Sequence, residues 1–295
     1  MDGPGPQRQD WLSQQRRQAM TDKADAFTEK YGPWALVAGA SVGLGAAFAS
    51  ELAQKGVNVA LIARKPGPLG ELSADLQRRY NVSVKTIPLD LAAPDMLKTI
   101  AAETDDLEIG LLVYNTAYML IGPFLEHSLD KQLRSIDVNC RGPLTLAHHF
   151  GQKMVERKRG GIILMSSLSG LQGAPWLASY GATKAFNIVL AEGLWYELKD
   201  EGVDVLVCCA GAIATPNYIA SQPVALGGMA PKPLSTEKVA REAVAALGKK
   251  HMVVPGRAYR FSSMLLDKFM SRKRRIKIMA DSTEKMYGDR LVTIN

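Results

Sequence analysis

The sequence predicts one α/β domain, built on a doubly wound, seven-stranded, mostly parallel sheet flanked by helices. Three observations predict it. From Trp34 to Gly256 short apolar runs alternate with longer amphipathic ones, the pattern of repeated strand–helix units. The short runs are apolar almost throughout, as strands covered on both faces must be. No linker, internal repeat or low-complexity block interrupts residues 30–256.

The elements follow in order. WALVAG (34–39) is a strand, and AAFASELAQKG (46–56) a helix that stops at Gly56. VNVALIAR (57–64) is a strand, and the helix after it passes through GELSADLQRRY (70–80). VSVKTIPLD (82–90) is the third strand; PDMLKTIAAE (94–103) is a helix whose first position is proline. IGLLVYN (109–115) is the fourth strand, followed by helices near 128–138 and 142–157. GGIILMSS (160–167) is the fifth strand; the helix carrying SYGATK runs to Asp200. VDVLVCCAG (203–211), TEKVAREAVAALG (236–248) and HMVVPG (251–256) complete the series as strand, helix and strand. Residues 1–30 are expected to be a flexible extension, 31–256 the domain proper with a loop over 212–233, and 257–295 a basic helix (257–278) with a polar tail. Met1 and Met20 both remain open as the translation start.

Composition narrows the function. Hydrophobic residues make up 47% and charged residues 22% of the chain, ordinary for a soluble globular protein with a sizeable core. The net charge of +7 is local: residues 255–278 hold eight Lys/Arg against Asp267 alone, which leaves the rest neutral. A uniform nucleic-acid surface is therefore not expected. Cys140, Cys208 and Cys209 make no disulfide framework, and such usage suits a reducing cytoplasm. The four histidines show no metal-ligand spacing, so no metal is expected. The first twenty residues lack an apolar core, and no run of 18 apolar residues exists; neither a secretory signal nor a membrane span is expected.

Two ends of the sheet carry chemistry. At the first strand, Gly39, Gly43 and Gly45 in VAGASVGLG permit a tight turn and close approach of backbone to a pyrophosphate at a helix N-terminus. After the second strand, where an acid would meet the ribose hydroxyl of NAD, stand Arg64 and Lys65. Two cations suit a 2′-phosphate, so NADP(H) is the expected cofactor, with Ser41 assisting. Asp90 ends the third strand; an adenine contact and a turn-capping role both fit it. At the other end, Tyr180 and Lys184 in SYGATK lie one helical turn apart. A surface pair and an acid/base pair both fit that spacing. In the second, the ammonium lowers the phenol's pKa.

The ordered set decides between them. The glycine turn at 39–45, Asp90, Asn139, Ser167, Tyr180 and Lys184, and Gly211 followed by Thr215 together resemble the short-chain dehydrogenase/reductase family over residues 30–256. Within it the chain looks most like NADP-dependent hydroxysteroid dehydrogenases of the 7β type, through YGPW, YNTAY and GAIATPN. The likeness to long-chain 3-oxoacyl-CoA reductases is looser. The resemblance implies a Rossmann-like fold and an oxidoreductase interconverting a ketone and a secondary alcohol. It implies Tyr180 as general acid or base, Lys184 on the nicotinamide ribose, Ser167 on the substrate oxygen, Asn139 holding a water and Thr215 on the carboxamide, with Leu44, Leu91, Asn115 and Gly211 as further cofactor contacts. Ala38, Tyr114-Asn115-Thr116-Ala117 and Ala210-Gly211 depart from the family pattern without removing a catalytic group.

The substrate side is apolar and without a cationic cluster. Tyr118, Leu168, Trp176 and Tyr218 are its expected walls, which favours a bulky apolar ketone or alcohol such as a steroid. The alternatives are a 3-oxoacyl thioester reductase and a non-catalytic NADPH-binding regulator. A homodimer or homotetramer is the expected assembly. Phe261, Leu265 and Phe269 recur every four residues beside the basic run. Packing on a sister subunit is favoured for that stripe over contact with a membrane surface.

Overall fold

The computed structural model describes residues 26–226, 231–288 and 290–294. The expected N-terminal extension lies outside the described residues as far as 25, and with it the choice between Met1 and Met20. Residues 26–31 form helix α1. Then come β1 (Trp34–Ala38), α2 (Gly43–Ala53), β2 (Asn58–Ala63), α3 (Pro66–Tyr80), β3 (Val84–Pro88), α4 (Met96–Thr104), β4 (Ile109–Tyr114) and β5 (Met119–Ile121). Helices α5 (Leu129–Ile136) and α6 (Gly142–Glu156) flank a π-helical turn at Asp137–Arg141. Next follow β6 (Gly160–Ser167), α7 (Ala178–Leu198), β7 (Val203–Ala210), α8 (Pro216–Ala220), α9 (Thr236–Ala246) and β8 (Met252–Val253). The chain closes with α10 (Arg257–Phe269), α11 (Arg272–Tyr287) and β9 (Val292–Ile294).

The main sheet has seven strands in the order β3-β2-β1-β4-β6-β7-β8, and every pairing in it is parallel. Successive strand residues face opposite layers. In β1, Ala35 and Val37 enter the core beneath α2 and α9, whereas Leu36 and Ala38 enter the core beneath α4, α6 and α7. Both faces are thus dry, which explains the uninterrupted apolar runs. Strand order reverses between β1 and β4, and the crevice outside the carboxyl ends at such a switch point is where a ligand lies in sheets of this kind.

Two expectations are corrected at the C-terminus. One helix over 257–278 was expected; the structure has two. Met270 is extended, and the Ser271 hydroxyl accepts from Arg274 N–H at 3.4 Å, starting a new helix. Residues 279–295 were expected to be a polar tail. Instead α11 continues to Tyr287, Gly288 ends it with φ 58°, and β9 pairs antiparallel with β5. The β-branched, alternating Val292-Thr293-Ile294 suits that half-covered strand. The 212–233 loop contains α8, and its base is held by a parallel bridge between Ile213 and Leu234. Its Gly-Gly at 227–228 lies outside the described residues.

Candidate active site

The turn after β1 is shaped by glycine. Gly39 has φ 85°, and a Cβ on it would stand 2.3 Å from Thr116 Oγ1. A Cβ on Gly45 would stand 1.9 Å from the Gly39 carbonyl oxygen, so α2 packs directly on the turn. Gly39 and Ala40 N–H both donate to the Ile62 carbonyl, at 2.8 and 3.0 Å. Asn115 Nδ2 braces the turn from β4 by donating to the Gly39 carbonyl at 3.1 Å. Val42, extended just before α2, offers the helix no side-chain cap, and its first turn holds no acid. Its free N–H groups and the positive end of its dipole are therefore available to an anion. Across the cleft, Thr215 and Pro216 lie within 3.4 Å of where a Gly43 Cβ would be. The Thr215 hydroxyl caps α8, accepting from Tyr218 N–H at 3.1 Å. Ser41 is half-buried at the mouth of the turn, while Leu44 and Leu91 are buried and pack in the core.

At the end of β2, Arg64 and Lys65 are exposed. Asp90 shows the turn-capping role: its carboxylate accepts from Ala92 N–H at 3.0 Å and from Arg134 at 2.6 Å. Burial alone would push that carboxyl up. The Arg134 and Ala92 hydrogen bonds, with the charges of Arg134 and Arg64, outweigh it and hold Asp90 below the usual carboxylate range.

Ser167, Tyr180 and Lys184 meet at the carboxyl end of β6. Ser167 is its last residue, and its Oγ accepts from Ser169 N–H and Ser169 Oγ at 3.2 and 2.9 Å. Tyr180 stands in the first turn of α7 with the Ser167 hydroxyl in hydrogen-bonding reach. Lys184 follows one turn later, 2% exposed, with Nζ 5.6 Å from the centre of the Tyr180 ring. Its ammonium donates to the Met165 carbonyl at 2.9 Å. Ser166 fixes the same turn by donating to the Lys184 carbonyl at 2.7 Å. Burial pushes the Tyr180 phenol up to about 12; the Ser167 hydrogen bond opposes this and nearby Tyr287 adds to it. Burial also brings Lys184 down to about 8. The expected depression of the Tyr180 phenol by Lys184 is not met among the protein's own groups, where burial dominates. Tyr180 therefore holds its proton at neutral pH.

Asn139 sits in the π-helical turn, fully buried. Its Oδ1 accepts from Tyr118 N–H at 2.8 Å, and its Nδ2 donates to the Tyr118 carbonyl at 2.8 Å and to Thr183 Oγ1 at 3.0 Å. Thr183 in turn donates to the Tyr180 carbonyl. The amide thus bolts the start of β5 to the helix that carries Tyr180.

On the substrate side one expected wall is corrected. Tyr118 is 4% exposed and packs with Leu120 and Val138, while Leu168 is half-buried with one side against the sheet core. The alternation of β5 turns Met119 and Ile121 to the opposite side. Trp176 adopts φ 60°, and its carbonyl accepts from Gly122 N–H at 2.9 Å. Tyr218 is half-buried beside Tyr287, and burial followed by that neighbour raises its pKa. Sequence reasoning missed Tyr287 altogether. It is buried with Ile121, Ala174 and Leu177, lies 3.3 Å from Ser221 Oγ, and neighbours both Tyr180 and Tyr218. The signal that would have found it is the alternating RLVTIN run after Gly288.

The cleft fits a nicotinamide dinucleotide. The glycine cradle leaves no room for side chains, and Thr116 Oγ1 is buried beside it without a hydrogen-bond partner. Among the described residues no cluster of His, Cys, Asp or Glu is placed to hold a metal, and no helix is long and apolar enough to cross a membrane.

Known proteins agree with this geometry. The chain is 32% identical over 230 residues to a 7β-hydroxysteroid dehydrogenase of Collinsella aerofaciens, covering 77% of this chain and 88% of that one. It is 34% identical over 191 residues to a very-long-chain 3-oxoacyl-CoA reductase of Neurospora crassa, covering 63% of this chain and 58% of that one. A structure from a study of 7β-hydroxysteroid dehydrogenase stereoselectivity superposes with TM-score 0.80 at 29% identity, over 86% of this chain and 98% of that one. A short-chain dehydrogenase from Sphingobium yanoikuyae in complex with NADPH superposes with TM-score 0.69 at 26% identity, over 84% and 95% of the two chains. The family model described as short chain dehydrogenase matches residues 33–223. With its parallel sheet, glycine turn and Ser167, Tyr180 and Lys184 in one place, the chain belongs to the short chain dehydrogenase family of oxidoreductases.

Proposed function

We propose that this protein is an NADP(H)-dependent oxidoreductase that interconverts a ketone and a secondary alcohol on a bulky apolar substrate of the hydroxysteroid/ketosteroid class. The observation that carries the reading is the convergence of the Ser167 and Tyr180 hydroxyls beside buried Lys184, under apolar walls from β5 and α11. The 7β-hydroxysteroid dehydrogenase relatives support the substrate class. Exposed Arg64 and Lys65 at the end of β2 support NADP(H) over NAD.

The turn at Gly39–Gly45 and the start of α2 would hold the pyrophosphate, Arg64 and Lys65 the 2′-phosphate, Lys184 the nicotinamide ribose and Thr215 the carboxamide. When bound, the nicotinamide supplies or accepts the hydride. The chain's own groups serve the substrate oxygen. Ser167 donates a hydrogen bond to it as negative charge grows there, and Tyr180 gives it a proton. Removing one such preorganised donor costs about 10²–10³ in rate. The Lys184 cation then sits beside the tyrosinate that proton transfer leaves. In the oxidative direction Tyr180 takes the proton back.

Exposed Leu129, Leu133 and Ile136 on α5 and Val189 on α7 support a homodimer or homotetramer. The free thiols of Cys140, Cys208 and Cys209 suit a cytoplasmic setting. A 3-oxoacyl thioester reductase is the second reading, favoured by relatives of that name. The test is NADPH oxidation, followed by nicotinamide absorbance, with keto-steroids, bulky aryl ketones and 3-oxoacyl thioesters. Best turnover on a keto-steroid is expected. Best turnover on a thioester moves the protein to the second reading. Tight NADPH binding without turnover on any of them points to a non-catalytic regulator and contradicts the proposal.

A further inference from the structure

Helix α10 is attached to the domain by a narrow base. Of its thirteen residues only Tyr259 is buried. The Tyr259 ring fills the space above Gly211, where a Cβ would stand 2.2 Å from it, and its hydroxyl donates to the Pro231 carbonyl at 3.0 Å. The outer face is apolar and uncovered. Phe261 is 60% exposed, Met264 55% and Phe269 69%, with Leu265 between them. Offsets of three and four residues place them in one stripe along the helix. A packing role for this stripe needs a cover; among the described residues it has none.

Its surroundings are cationic. Arg257 and Lys268 on α10, and Arg272, Lys273 and Arg274 in the first turn of α11, are all exposed. Asp267, the sole acid of 257–278, is engaged by Arg275 at 2.5 Å. Three cations in the first turn of α11 stand against the positive end of that helix's own dipole, a locally unfavourable arrangement that an anionic surface relieves. The whole net charge of the chain is gathered here. A second copy docked symmetrically on this stripe would bring these cations against their own images.

We propose that α10 and the first turn of α11 form a docking surface for an anionic lipid bilayer, with the Phe261–Phe269 stripe entering the interface and the flanking Lys/Arg meeting headgroups. The surface begins beside Gly211, next to the loop that carries Tyr218. The proposal does not rest on the oxidoreductase reading, and its test needs no turnover.

The test is co-sedimentation of the full chain with phosphatidylcholine vesicles, with and without phosphatidylserine. Two double variants accompany it, Phe261→Ser with Phe269→Ser, and Lys268→Glu with Lys273→Glu. All four side chains are exposed, and circular dichroism with NADPH binding verifies the fold. The expected result is binding to phosphatidylserine vesicles, none to phosphatidylcholine alone, weakening with added salt, and a loss of at least about tenfold in either variant. Equal binding to both vesicles, no binding, or wild-type binding by the charge-reversed variant would overturn it. So would a wild type indifferent to vesicles whose apolar variant sediments as a smaller particle, which assigns the stripe to a second copy.

Discussion

At the scale of single residues, Lys184 shows function set against stability. Burial lowers its pKa to about 8, so below that pH the folded protein carries a charge it would shed more readily than the unfolded chain does. The penalty is fully present below the folded pKa and is relieved as pH rises from about 8 toward the ordinary lysine range, at about 1.4 kcal/mol per unit. Lys184→Met is predicted to lose at least about 10²-fold in activity without lowering the melting temperature at neutral pH. Thermal unfolding at neutral and alkaline pH checks the sign: the variant's advantage should shrink as pH rises. Arg64 is proposed to hold the 2′-phosphate of the cofactor. Arg64→Ser is predicted to raise KM for NADPH about tenfold to a hundredfold, the loss of a hydrogen bond to a charged group, and to leave KM for NADH unchanged in steady-state assays. Tyr180, Lys184 and Ser167 were legible in the sequence because their relation is local: one helical turn, and a strand end thirteen residues earlier. The side on which Tyr118 faces was not legible. Adjacency in sequence places a residue near a site without saying which layer its side chain joins.

Among the elements, the parallel strands were legible, β6 to the residue at Gly160–Ser167, whereas the apolar runs overshoot β3 and the short β8. The C-terminal clasp was not. The alternating RLVTIN run marks a strand, but its partner β5 is three residues long and far away in the chain, so the run does not announce what it pairs with. Arg290 locks the clasp, donating to the Tyr287 carbonyl at 2.8 Å, to Met286 at 2.9 Å and to Gln222 at 3.0 Å. Those bonds tie α11 to the loop after α8 and hold Tyr287 beside Tyr180. Arg290→Ala is predicted to raise KM for a bulky ketone about tenfold, the order expected from losing hydrogen bonds of about 1.5 kcal/mol together. NADPH affinity should be unchanged. Parallel measurements of substrate KM and NADPH titration distinguish this from a general loss of folding.

Across the whole molecule, exposed apolar residues also occur away from the cationic C-terminal run. Leu129, Leu133 and Ile136 of α5 and Val189 of α7 form exposed apolar surface remote from the cationic run of 257–278 in sequence. Leu133→Lys with Val189→Lys is predicted to yield a smaller particle in sedimentation than the wild type, and an unchanged particle would remove these helices from the assembly. At the centre of the proposed function, Tyr180 is the proton donor. The most direct test is the rate of NADPH consumption with a bulky keto-steroid by wild type and Tyr180→Phe, with NADPH binding measured on both. The prediction is a loss of about 10²–10⁴-fold in turnover with NADPH affinity retained. Turnover preserved in Tyr180→Phe would contradict the account, because no proton from that phenol would then be needed.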